Sequence, residues 1–358
     1  MNKSINNNSK FVKEFCDRFI NSNLPKFVFG TNSFAKEISD LVEIDGFIND
    51  LSTVNTFNDK PVYQLNNIPV NSLIVSAVVL AKPTSVLNKI RTFPVQAIDY
   101  FAFRAFSGLK LPQVIFKDYD SFADELAVNE SYYSSLRSNL ADDDSIWTFD
   151  KIVNFRITSD ITFLEGFEYN VENQYFEGFL ELSTKGEVFL DVGCFDGFTT
   201  EQFIKRCSEY GGIHVFEPDE NNLPFIHNRL SKFERINYHN FGLSDESATY
   251  RFISDGSAAR ISETGDSKIE VRPLDDLNLD AVTYIKMDIE GAELQALRGA
   301  RNTILKNHPR IAVSVYHKVD DFRIIPNEIL SIRNDYRIYL RHYTEGVIET
   351  VMFFIPVK

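Results

Sequence analysis

EVFLDVGCFDGFTT, residues 187–200, reads as a strand, a tight acidic turn and the start of a helix. Val188, Phe189 and Leu190 form the short apolar run of a strand covered on both faces. Asp191 ends the run. Gly193 and Gly197 then bracket a turn where the backbone must pass close to a neighbour, an approach glycine permits because it has no Cβ. Thr199 and Thr200 open a polar-to-apolar pattern continuing through Phe203 and Ile204, so a helix N-terminus faces the turn. Open α/β sheets place nucleotide-like ligands at such a corner. The plainer alternative is an ordinary strand-to-helix turn.

A pyrophosphate loop carries Gly-x-Gly-x-x-Gly or a lysine, without acids in the turn. Asp191 and Asp196 would repel pyrophosphate and suit a cation bearing an ammonium and a sulfonium, which points to S-adenosylmethionine. A second apolar run, 213–216, ends in Glu217-Pro218. Glu217 comes after the glycine turn at close to the ~20-residue offset at which dinucleotide folds set an acid on a ribose. The same logic serves an adenosyl ribose; a solvated acid before a proline turn is the bland counterpart.

The chain has 358 residues, enough for two domains, with 44% hydrophobic and 25% charged residues as in globular proteins. A net charge of −14 argues against non-specific binding to nucleic acid or an anionic membrane. No run approaches the ~18 apolar residues of a membrane span. The start, MNKSINNNSK, lacks the apolar region of a signal peptide. Cys16, Cys194 and Cys207 have no metal-ligand spacing and fit free thiols, so the expected location is the cytoplasm.

The patterning divides the chain into four segments. Residues 1–23 are a polar tail running into a short helix. Residues 24–115 form a small Rossmann-like α/β domain: strand 27–29, a turn at Gly30, a helix through Phe34, Ile38 and Leu41, and strands 44–48 and 73–80. Its first turn holds one glycine where a dinucleotide fingerprint has three, which argues against a cofactor there. Residues 116–182 are a helical, aromatic connector, with Tyr175 and Phe176 read as core packing. Residues 183–358 alternate strands (187–191, 212–217, 236–243, 282–288, 310–317) with helices near 197–208, 220–232, 292–305 and 322–333. A hairpin, 336–343 and 349–356, ends the chain. Parallel strands closed by an antiparallel C-terminal hairpin predict the class I methyltransferase sheet.

From about residue 140 to 358 the chain resembles the FkbM family of S-adenosylmethionine-dependent methyltransferases. The resemblance is carried by DVGCFDGFTT at 191–200, FEP at 216–218, NFGLSD at 240–245, RPLDDL at 272–277, IKMDIEGAEL at 285–294, VYHK at 315–318 and YLRHY at 339–343. It implies O-methylation, often of sugars or sugar-bearing metabolites, and for this chain a glycan or small-molecule acceptor in bacterial surface glycan synthesis. The turn carries Cys194-Phe195-Asp196 where many members have a small residue, Asn and an apolar residue; in this it resembles a glycan-associated subset. FGTNSFAKEI and GFIND, in the first domain, resemble a nucleotide-sugar-associated α/β domain. A scaffold or homodimer-forming role is the alternative there.

On this reading Asp191 and Gly193 hold the methionine end of the cofactor, with Cys194, Phe195, Asp196, Gly197 and Thr199 completing the turn. Glu217 takes the ribose, and Phe241 and Gly242 border the adenine. Asp288, at the end of the fourth strand, serves both cofactor and catalysis. Glu290 joins it on the rim, and His317, neutral near its ordinary pKa of ~6.5, is the expected general base. Alternatives stay open. Asp288 and Glu290 also suit a helix N-terminus, and His342 is a second candidate base. A third reading makes Asp288, Glu290 and His317 ligands for a divalent cation such as Mg²⁺. A non-catalytic scaffold that binds cofactor or sugar nucleotide is the competing function.

Overall fold

A computed structural model describes residues 2–114, 119–253, 260–261, 265 and 267–357. The boundary expected at residues 115 and 116 lies outside the described residues. The chain divides into two compact units: Met1–Ala123 with Asp150–Tyr169 and Tyr343–Ile348, and Asp124–Phe149 with Asn170–His342 and Glu349–Lys358. The aromatic stretch 116–182 is thus shared between the units.

In the first unit, β1 (Lys26–Phe29), β2 (Gly46–Ile48), β3 (Thr56–Phe57), β4 (Lys60–Tyr63), β5 (Leu73–Ser76) and β6 (Gln96–Asp99) form one sheet in the order β3-β4-β2-β1-β5-β6. All its pairings are parallel except β3 with β4. Asn32 caps the helix Ser33–Leu41 by accepting from Ala35 N at 2.9 Å. The segment Tyr343–Ile348 packs here too: Glu345 accepts hydrogen bonds from Ser85 N (2.7 Å) and Thr84 Oγ1 (2.6 Å) at the start of the helix Pro83–Arg91.

The second unit holds β7 (Val188–Val192), β8 (Gly212–Phe216), β9 (Ile236–His239), β10 (Gly242–Leu243), β11 (Ala248–Ile253), β12 (Arg260–Ile261), β13 (Ser267–Arg272), β14 (Tyr284–Met287), β15 (Arg310–Ser314), β16 (Tyr336–His342) and β17 (Thr350–Pro356). Its main sheet runs β16-β17-β15-β14-β7-β8-β9. The chain order reverses beside β7, the switch point where open α/β sheets bind ligands. β17 runs antiparallel to both β15 and β16, so the last strand inserts between its neighbours rather than extending the edge. This is the class I methyltransferase sheet that the alternating pattern predicted.

In the first unit, the expected polar tail and short helix form one helix, Asn2–Asn21, and the strand expected over 73–80 stops at Ser76. Three details of the second unit also differ from the sequence expectation. The third strand stops at His239, and Gly242–Leu243 pairs instead with β13 in a four-stranded side sheet, β10-β13-β11-β12. Tyr250, Phe252, Ile269 and Val271 give that sheet its own small core. The helix expected over 292–305 breaks at Ala300 into Glu293–Gly299 and Arg301–Asn307.

The core under β7 is aromatic. Phe189 is fully buried, with its ring 4.3 Å from Phe203 and 5.1 Å from Tyr284, stacked on both. Phe189→Ala should therefore cost about 3–5 kcal/mol of stability. Urea unfolding followed by circular dichroism checks this; a loss under about 1 kcal/mol would show that the stack contributes little.

Candidate active site

The turn after β7 is built by main-chain bonds. Gly193 N and Cys194 N both donate to Phe216 O, at 3.1 and 3.2 Å, curling the turn over the end of β8. Gly197 N returns to Cys194 O at 2.8 Å. Gly193 has φ +78°, and a Cβ there would lie 1.9 Å from Asp288 O. The close neighbour that demands glycine is thus the β14 backbone, not a ligand. Gly197 is also left-handed, at φ +80°, and leads into the helix Phe198–Arg206, where Thr199 sits half-buried.

Both acids of the turn already have partners. Asp191 is wholly buried; Oδ1 lies 3.1 Å from Lys286 Nζ, and Oδ2 accepts from Thr200 Oγ1 at 2.7 Å. Asp196 Oδ1 caps Phe198 N at 2.9 Å, and Oδ2 pairs with Arg229 Nη2 at 2.6 Å. The carboxylates expected to face a cationic ligand instead brace the turn from within and behind. Cys194 is buried, which pushes its thiol pKa up. Phe195, 40% exposed at φ +51°, is the open side chain of the turn.

Glu217 ends β8 and is buried. Its Oε2 accepts from Phe195 N and its Oε1 from Asp219 N, each at 3.0 Å. The Asn222 side chain donates to the same carboxylate, and burial, outweighing these donors, raises the carboxyl pKa; the carboxylate's remaining acceptor capacity suits a hydroxyl donor. Phe241 packs 5.9 Å from the Phe216 ring, with the Arg272 guanidinium 5.0 Å above it. Gly242 belongs to the side sheet, 3.3 Å by its would-be Cβ from Val271.

The ends of β14 and β15 gather the rim. His317 is buried, with Nδ1 3.0 Å from Glu293 Oε1 and Nε2 3.4 Å from Asp288 Oδ1 and 3.6 Å from Glu290 Oε2. Glu293 also accepts from Ile289 N and Gly291 N, at 2.9 and 3.3 Å. Burial alone would lower the His317 pKa, but Glu293, Asp288 and Glu290 outweigh it and raise it to about 10. The ring is an imidazolium at neutral pH and has no lone pair to offer, so the expectation of a neutral histidine base is corrected. His342 Nδ1 lies 2.8 Å from Thr350 Oγ1 within the hairpin. Burial pushes Glu290, with help from Asp288, Glu293 and Glu349 and against His317, up to about 7.

Asp288, Glu293 and His317 each bring one ligand-type atom within 4.8 Å of the others. Glu293 meets Nδ1, while Asp288 and Glu290, the other ligands expected for a cation, both meet Nε2. That set would bring a ring nitrogen, whereas Mg²⁺ takes oxygen ligands. The donor set does not fit Mg²⁺.

Sequence reasoning missed three members. Lys286 is buried, donates to Gly193 O at 2.5 Å and is held in its charged form chiefly by Asp191, against the effect of burial. A lysine inside the apolar run Tyr284–Met287 was the available signal. Tyr175 donates to Asp288 Oδ2 at 2.7 Å, and half-buried Glu349, pushed up to about 7 by desolvation and Asp288, accepts from Gln174. Neither stands out in the sequence.

Residues 191–338 match the methyltransferase FkbM domain, a span holding the glycine turn, Glu217 and the whole His317 cluster. It is these residues, 191–338, that match an FkbM methyltransferase domain. A methyltransferase FkbM of Methylobacillus flagellatus KT has a similar crystal structure, with TM-score 0.76 at 26% identity over 96% of this chain and 92% of that one. The 2-O-methyltransferase NoeI of Sinorhizobium fredii (strain NBRC 101917 / NGR234) is 26% identical over 33% of this chain. That match spans 59% of NoeI's own length. Tyr175 and Glu349 lie outside the matched FkbM span.

The geometry of the FkbM domain has two testable consequences. The raised His317 pKa contributes stability that is fully present below ~6.5, the unfolded value, and lost as pH rises through about 10. Relative to His317→Asn, the wild type should lose stability between about pH 7 and 10; equal pH dependence of the two would contradict this. Gly193→Ala should lower the melting temperature and S-adenosylhomocysteine affinity together, because its Cβ strikes the Asp288 carbonyl. Lost affinity at an unchanged melting temperature would put a ligand, not β14, against Gly193.

Proposed function

We propose that this protein is an S-adenosylmethionine-dependent O-methyltransferase whose acceptor is a carbohydrate hydroxyl, acting in bacterial surface glycan synthesis. The observation that carries this reading is Glu217, a buried acid at the switch-point edge, held in place by one main-chain donor on each oxygen, where an adenosyl ribose would lie. When bound, S-adenosylmethionine supplies a methyl group on a sulfonium, an electrophile for in-line attack by an oxygen. The chain's own residues bind and orient. The 193–197 turn backs the cofactor, Glu217 holds its ribose, and the rim of Asp288 and Glu290 receives the acceptor.

Glu290 takes the hydroxyl proton. Its side chain is 30% exposed and lies beside the His317 ring, whereas Glu349, with a similar pKa, is taken up by a hydrogen bond from Gln174. A base near pKa 7 is matched to neutral pH, and such catalysis is worth ~10²–10⁴-fold. The His317 imidazolium offsets the negative charge of the surrounding carboxylates and holds the rim together. A rim this rich in carboxylates favours neutral sugars over the diphosphate of a nucleotide-activated sugar. The first unit is read as a scaffold without a nicotinamide cofactor, since the turn between Lys26–Phe29 and the helix Ser33–Leu41 holds one glycine where a dinucleotide fingerprint has three.

Methyl transfer from labelled S-adenosylmethionine to methyl glycosides of hexoses and 6-deoxyhexoses tests the reading. Methyl ethers should form, with a rate rising through about pH 7 as Glu290 ionises. Glu290→Gln should lower kcat by ~10²–10⁴-fold and leave S-adenosylhomocysteine affinity intact. A fully active Glu290→Gln would remove Glu290 as base; no cofactor binding by the wild type would remove the function.

A further inference from the structure

The segment preceding the FkbM span reaches into the rim through one buried phenol. Tyr175 has φ +71°, a left-handed conformation that costs a side-chain-bearing residue on the order of 1–3 kcal/mol. The strain is held by Tyr284, whose hydroxyl donates to Tyr175 O at 2.5 Å. The phenol oxygen lies 2.7 Å from Asp288 Oδ2, 2.8 Å from Gln174 Nε2 and 3.1 Å from Ser314 Oγ.

A phenol has one proton to give. Gln174 Nε2 can only donate, and the Asp288 carboxylate can only accept, so the Tyr175 proton goes to Asp288 and its lone pairs take Gln174 and Ser314. Burial, with Asp288 and Glu349 nearby, keeps the phenol protonated far above neutral pH. This network uses Oδ2 of Asp288; Oδ1, which makes no hydrogen bond, lies 3.4 Å from Nε2 of the His317 imidazolium. The rotation of the carboxylate therefore sets how Oδ1 meets that ring, whose Nε2 also lies 3.6 Å from Glu290. Asp288 N is itself fixed to Val192 O at 3.1 Å, so the tyrosine sets the remaining freedom, the carboxylate's own rotation.

We propose that Tyr175 is a positioning residue: it turns the Asp288 carboxylate so that Oδ1 meets the His317 imidazolium and holds that ring beside Glu290, the group that deprotonates the acceptor. This rests on the function proposed above, and it makes Asp288 a group that orients the proton-accepting cluster rather than the cofactor.

Three variants, Tyr175→Phe, Asp288→Asn and the double substitution, are compared on the methyl-glycoside mixture. In parallel, S-adenosylhomocysteine affinity is measured by calorimetry and the crystal structure of Tyr175→Phe is determined. Tyr175→Phe should lower kcat on the order of tenfold at unchanged S-adenosylhomocysteine affinity. The double variant should be no slower than Asp288→Asn alone, a non-additivity that a merely structural tyrosine would not produce. The Asp288 side chain should rotate in the Tyr175→Phe crystal. Equal losses from Tyr175→Phe in both backgrounds, or weakened S-adenosylhomocysteine binding, would overturn the assignment. If the wild type binds S-adenosylhomocysteine but methylates none of the glycosides, the proposed acceptor class fails. The Asp288 rotation then decides the inference by itself, an unmoved carboxylate overturning it.

Discussion

The buried ion pair of Asp191 and Lys286 joins the two central strands of the FkbM sheet, where they stand as direct register partners. Removing one member would strand the other charge, a loss of ~3–5 kcal/mol in comparable buried pairs. The pair also shapes the turn after β7. Lys286 reaches on to Gly193 O, and Gly193 lets Asp288 O pass where a Cβ would sit. One lysine and one glycine thereby bind the β7 turn to the end of β14, so the proposed cofactor face and the acceptor rim share a single rigid joint. Preorganisation of that kind is what a positioning catalyst needs, since orientation can supply ~7–11 kcal/mol of a displacement barrier.

Beyond the joint, the rim is governed by charge. His317 stands among Asp288, Glu290 and Glu293 with both ring nitrogens turned to carboxylates. Its proton is held by those carboxylates, while burial chiefly, with carboxylate neighbours adding to it, lifts Glu290 and Glu349 to about 7. Carboxylates crowded this closely cannot all ionise cheaply. On the proposed function the histidine's contribution is electrostatic, and the base role passes to Glu290, the neighbour whose pKa it helps to limit.

The sheet was legible because its signals are local: apolar runs ended by acids, a glycine turn and an amphipathic stretch through Leu294 and Leu297. Glu217 at a strand end was readable from spacing alone. The insertion of β17 between β15 and β16 was not legible, because a hairpin's two strands look alike from either edge. The side sheet was overlooked although Phe252, Ile269 and Val271 alternate with polar neighbours at period two. The roles of Asp191, Asp196 and His317 were misjudged for one reason: their partners, Lys286, Arg229 and Glu293, lie 24 to 95 residues away in sequence. A carboxylate or an imidazole cannot be given a charge state or a direction until those partners are placed. Tyr175 shows the same limit, read as packing until its hydroxyl meets Asp288 across the sheet.

The most direct measurement is the crystal structure of the full chain with S-adenosylhomocysteine bound. The expected result is a ligand lying against the 193–197 turn, its ribose hydroxyls on the Glu217 carboxylate and its sulfur directed toward the Asp288–Glu290 rim. A ligand seated in the first unit, or one that leaves Glu217 without a contact, would contradict the cofactor site on which every other step depends.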